Sequence, residues 1–222
     1  MAGKVTPIRS TPQRKAAPRP RHALQFLVVL TQTNPLVWRR IQVPEDYSFW
    51  DLHVAVQDAM GWQDRHLHEF RVRNPASGRL ERLGIPDRNF PDERPCTPDW
   101  EVPLSRYFNW ESISEAPSAL YAYDFGDDWH HVVTLEDVVP IGRARYPRCL
   151  AGARACPPED CGGVHGFDAF LDAIADPRHP EHAQLVEWSG GTYDPSVFAP
   201  AQVVFANPRQ RWKNAFLDSV GR

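Results

Sequence analysis

The sequence predicts one α+β domain. Three observations point to it. Apolar residues recur with period two near residues 36–43 and 119–138, and residues 24–31 form an apolar run. They recur with helical period near residues 49–60 and 167–174. Hydrophobic residues make up 42% of the 222-residue chain, with Trp 8 and Phe 11, enough to build a core without a covalent staple.

The elements follow in order. Residues 24–31 are rich in Leu, Val and Phe and read as a buried strand. Asn34-Pro35 turns the chain. Residues 36–43 alternate and read as a second strand, antiparallel to the first, which Pro44 ends. Ser48 with Asp51 three residues on is a capping-box pattern. Phe49, Leu52, Val56, Ala59 and Met60 then share a helical face, and Gly61 stops it. Residues 66–73 read as a strand, and residues 84–101, with four prolines, as a long loop. Residues 119–138 read as a hairpin around Gly126-Asp127-Asp128. Its aromatic face, Tyr121, Tyr123, Phe125 and Trp129, is expected to pack on the helix carrying Phe167, Phe170, Leu171 and Ile174. A further helix starts at Pro180, carries Leu185 and Trp188, and ends at Gly190.

Charge divides the chain in three. Residues 1–22 carry six basic residues, no acid and four prolines, and read as a disordered basic arm. Residues 208–222 carry four basic residues against Asp218 and read as a basic tail. With the whole chain at −3, the arm at +6 and the tail at +3, residues 23–207 hold −12. No apolar run approaches the roughly 20 residues of a membrane span. The start lacks a secretory cleavage pattern. A cytoplasmic protein with its four cysteines reduced or metal-bound is expected.

The densest chemistry is Cys149-Leu-Ala-Gly-Ala-Arg-Ala-Cys156-Pro-Pro-Glu-Asp-Cys161-Gly-Gly-Val-His165. Thiolates and neutral imidazole are zinc ligands, and four of them can close a tetrahedral site. The spacing matches no standard finger, and the alternative is small reduced cysteines over the core. A second cluster is His66 and His68 on one strand face with Asp124, Asp127, Asp128, His130 and His131 of the hairpin. It is either an acid–base or metal site, or a polar turn and face. Trp38-Arg39-Arg40 is a candidate anion patch or the wet face of an edge strand. The sequence has no phosphate loop and no GxSxG elbow.

Several strings together resemble the plasmid pRiA4b ORF-3-like family. They are residues 35–44 (Pro-Leu-Val-Trp-Arg-Arg-Ile-Gln-Val-Pro), Asp51-Leu-His53, Met60-Gly-Trp62, His66-Leu-His-Glu-Phe70, Tyr123-Asp-Phe-Gly-Asp-Asp-Trp129, and the cysteine stretch. The likeness runs from about Leu24 to Asn207. It implies a single roll-like α+β domain with a mixed, largely antiparallel sheet and packed helices. Some relatives are described as insertion-element passenger proteins, and no settled reaction comes with the family. The functional expectation is a non-catalytic binding or adaptor domain linked to mobile or plasmid DNA. The alternative is a metal-dependent hydrolase using the His/Asp cluster. Weak nucleic-acid contact through the basic arm is a third expectation.

Overall fold

The computed structural model describes residues 21–86, 95–108 and 116–217. Most of the arm therefore lies outside the described residues. Eight strands form one sheet: β1 (His22–Leu30), β2 (Val37–Pro44), β3 (His68–Arg73), β4 (Leu80–Gly84), β5 (Cys96–Pro98), β6 (Ser118–Tyr123), β7 (Trp129–Pro140) and β8 (Arg148–Ala153). Their order is β5-β4-β3-β6-β7-β1-β2-β8. Every pairing is antiparallel except β4 with β5. The sheet is thus mixed and largely antiparallel.

Alternation decides which face is buried. Leu24, Phe26, Val28 and Leu30 of β1 point inward beside Trp129, His131, Val133 and Leu135 of β7. Helix α1 (Phe49–Met60) lies over this face. Ser48 caps it reciprocally with Asp51, and Gly61 ends it at φ 94. Phe49 packs edge-on against Phe70 and Tyr107. The hydroxyl of Tyr121 meets His53 and Gln57 of α1. So the helix against the aromatic hairpin is α1. The helix carrying Phe167 and Phe170, α2 (Gly163–Ala175), packs with α3 (His182–Trp188) and Tyr193 instead. Phe125 of the expected aromatic face sits in the turn, 54% exposed.

The stretches read as a long loop and as a basic tail both hold ordered elements. The described part of the expected loop at residues 84–101 holds β5 and a 3-10 turn, Asp99–Glu101. The expected tail holds α4 (Pro208–Phe216), capped by Asn207 and docked on α1. Arg211 pairs with Asp58 at 2.6 Å, and the Trp50 indole N–H donates to the Pro208 carbonyl. Among the described residues no helix is long and apolar enough to cross a membrane.

Candidate functional site

After Gly61 the chain descends to β3 along the edge of the core. Trp62 stacks on Tyr123 at 5.0 Å, and its N–H donates to the Pro157 carbonyl. The Arg65 amide donates to the Tyr123 hydroxyl, and the Leu67 carbonyl accepts from the Asp124 amide. These bonds tie the approach to β3 to both the β6–β7 turn and the cysteine stretch. His66 is thereby held in a bend at the surface, one third exposed, whereas His68 begins β3 and turns inward. The two imidazoles expected on one face therefore part company.

His66 sits between two carboxylates. Its Nε2 is 2.7 Å from Asp160 Oδ1 and 3.4 Å from Asp124 Oδ2. Asp124 adopts φ 53 in the turn, and its Oδ1 accepts from the Gly126 and Asp127 amides, which fixes the carboxylate with Oδ2 toward His66. Asp160 arrives from the cysteine stretch at φ 60. Its neighbour Glu159 anchors that stretch, accepting from the Tyr123 hydroxyl and the Gln63 amide. Asp127 completes the stitching by accepting from the Gly162 amide at 3.1 Å. Gly163 follows at φ 68, where a Cβ would lie 2.4 Å from the Asp127 carbonyl oxygen. Only glycine lets α2 start against the hairpin turn.

Among the described residues, one group of three or more His, Cys, Asp or Glu can bring a ligand atom from each within 4.8 Å of the others. It is His66, Asp124 and Asp160. One imidazole and two carboxylates suit a borderline or hard divalent cation and leave coordination positions open. Beside the group lies a cleft of about 450 Å³, lined in part by Trp62, Arg65, Glu159, Asp160, Trp188 and Tyr193.

The other expected ligands are placed elsewhere. Cys149, Cys156 and Cys161 are partly buried free thiols, and with His165, exposed on α2, they form no such convergent group. Cys149 lies on β8, its sulfur 3.5 Å from the Ala151 carbonyl. Burial raises the thiol pKa of Cys149 and Cys156, and pushes that of Cys161 up to about 12. The expected zinc ligands are thus not the ones the fold gathers. Asp128 pairs with His130 at 3.0 Å. His131 is fully buried, 3.4 Å from the Tyr121 carbonyl and edge-on to Trp62. In the Trp38-Arg39-Arg40 string, Arg39 is buried over Phe198 and donates to three backbone carbonyls, and Arg40 pairs with Glu136 at 2.6 Å.

Sequence reasoning missed Asp160 and a second, buried constellation. His53 and His68 stack face to face, 3.5 Å apart and 8° from parallel. Each has its own carboxylate: His53 Nε2 is 2.8 Å from Asp64, and His68 Nε2 is 2.7 Å from Asp99. Burial, then the neighbouring His68, lowers His53 to about 4, so its ring is neutral. Nε2–H then donates to Asp64, and the Tyr121 hydroxyl donates to Nδ1. Asp64 is desolvated too, but the His53 hydrogen bond and nearby positive charge outweigh that and hold it as a carboxylate.

A mixed-sheet α+β domain with a His–Asp–Asp group at the seam of hairpin and loop is the class of protein that results. The chain belongs to the plasmid pRiA4b ORF-3-like protein family, whose model matches residues 22–202. It is similar to the uncharacterized protein y4hQ of Sinorhizobium fredii, 36% identical over 174 residues, which span 77% of this chain and 83% of that one. It is also similar to the crystal structure of MM3350, a protein of unknown function from Methanosarcina mazei Go1. The TM-score there is 0.76 at 40% identity, covering 84% of this chain and 99% of the other.

Proposed function

We propose that this chain is a cation-dependent binding domain. A divalent cation held by His66, Asp124 and Asp160 would anchor an anionic ligand in the adjoining cleft. The observation that carries this is the convergence of three metal-competent side chains, of which Asp124 is held in place by backbone amides. Glu159, next to Asp160, is engaged by Tyr123 and Gln63, which supports binding over hydrolysis.

A ligand that binds only the folded state stabilises it by about 2.7 kcal/mol at a hundredfold excess over Kd. In a chain of this size that raises Tm by roughly 5–10 °C. The test titrates Mn²⁺ and Zn²⁺ into chelator-treated protein and follows Tm and Mn²⁺ paramagnetic resonance. Wild type should show a saturable shift, and Asp160→Asn and His66→Ala should lose it while melting normally without metal. An unchanged Tm together with a free-Mn²⁺ spectrum would defeat the reading. Metal-dependent cleavage of p-nitrophenyl phosphate by the wild type, absent in Asp160→Asn, would replace binding with hydrolysis.

A further inference from the structure

A second cavity, of about 540 Å³, lies at the N-terminal end of α1. Three indoles, Trp50, Trp100 and Trp212, supply its aromatic surface. They come from three elements: the first turn of α1, the 3-10 turn at Asp99–Glu101, and α4. Docking of α4 sets the arrangement. The Trp50 N–H holds the Pro208 carbonyl, and Arg211 holds Asp58. That leaves Arg209, Trp212 and Lys213, at i, i+3 and i+4, lining the cavity together. Carboxylates line the remaining wall: Asp46 and Asp51 at the start of α1, and Glu101.

The charges do not cancel by contact. Among the described residues, no ion pair within 4.0 Å joins Arg209 or Lys213 to Asp46, Asp51 or Glu101. Arg209 nevertheless acts on Asp51 through space. Cations from α4, carboxylates beside the start of α1 and from the turn, and three indoles thus line one cavity together. The volume falls in the range of small-molecule sites.

We propose that this cavity binds a zwitterionic α-amino acid with an apolar side chain. Its ammonium would meet Asp46 and Glu101, its carboxylate would meet Arg209 and Lys213, and its side chain would lie against the indoles. Charge-assisted hydrogen bonds to the two charged groups and aromatic contact with the side chain give the recognition. The family match ends at residue 202, so the cationic wall is built from sequence beyond it. The site is independent of the cation reading above.

The test is isothermal titration of the full chain with L-phenylalanine and L-leucine, with EDTA present so that the cation site plays no part. At least one should bind saturably at millimolar concentration or below. N-acetyl-L-phenylalanine and L-phenylalanine amide each lack one charged end and should bind at least tenfold more weakly than L-phenylalanine, as should the leucine analogues if leucine is the ligand. The double variant Arg209→Gln, Lys213→Gln keeps Arg211 and the helix docking. It should retain wild-type Tm and lose binding at least tenfold. Absence of heat with both amino acids would overturn the proposal. So would equal affinity for the blocked analogues, or undiminished binding by the folded double variant.

Discussion

Three imidazoles, His53, His68 and His131, are buried within the fold, where a protonated ring is costly. His53 is lowered to about 4, by burial and then by the stacked His68. His131 is lowered to about 3, chiefly by burial, with His130 and Arg39 adding repulsion. In the unfolded chain both titrate near 6.5. Below that pH the unfolded state takes up protons that the folded state refuses. The stability these residues contribute is therefore complete above about 6.5 and is lost as pH falls toward 4. Each group contributes a slope of up to about 1.4 kcal/mol per pH unit. His131 Nε2 has no partner, so an apolar replacement breaks little. His131→Leu should keep most of its stability at pH 7 and lose about one proton's worth of the slope between pH 6 and 4.5, measured by urea unfolding at stepped pH. An unchanged slope would mean that His131 protonates in the folded protein as easily as outside it.

At the scale of elements, two glycines with nearly the same backbone separate strain from contact. Gly78 lies at φ 69 with open space where a Cβ would go. Gly163 lies at φ 68 with the Asp127 carbonyl oxygen 2.4 Å from that point. Gly78→Ala should cost about 1 kcal/mol, the left-handed penalty alone. Gly163→Ala adds a clash with backbone that the start of α2 can relieve only by moving off the hairpin turn. It should cost at least about 2 kcal/mol more by urea unfolding, and should weaken Mn²⁺ binding, because Asp160 rides on the same stretch. Equal costs would show that the turn and helix are not rigidly joined. The same contrast explains which elements were legible. Ser48, Asp51 and Gly61 announce α1 because capping is local. Strand β8 was hidden, since Cys149-Leu-Ala-Gly-Ala lacks alternation and is a strand through its pairing with β2. His66 and Asp124 were legible as residue types at turns. Asp160 was not, because it reaches His66 from a loop 94 residues later, and only tertiary stitching through Glu159 and Asp127 puts it there. The hairpin was matched to α2 because its aromatic face suits any apolar helix, and periodicity alone does not choose between two of them.

Across the whole molecule, charge is segregated. Residues 23–207 hold −12, and several of their basic side chains are already paired, Arg40 with Glu136 and both Arg71 and Arg82 with Glu69. Such a surface repels phosphate. The basic arm carries the opposite charge, and at its end Arg21 and His22 bond Glu45. Removing residues 1–20 takes away Lys4, Arg9, Arg14, Lys15 and Arg19 and leaves that junction whole. Five cations that each neutralise one phosphate give a salt slope of about −4.5 on duplex DNA, a fall of several hundredfold between 50 and 200 mM salt. Any contact with nucleic acid should then be weak, indifferent to sequence and confined to low salt. Fluorescence anisotropy with a labelled random duplex should detect it for the full chain at 50 mM salt. The signal should disappear for the protein lacking residues 1–20, whose Tm should match wild type. If the shortened protein still binds, the arm is not the contact. The outer sheet face around Trp38 and Arg40 is then the surface to mutate, with Arg39 excluded because its guanidinium is buried against backbone carbonyls and Phe198.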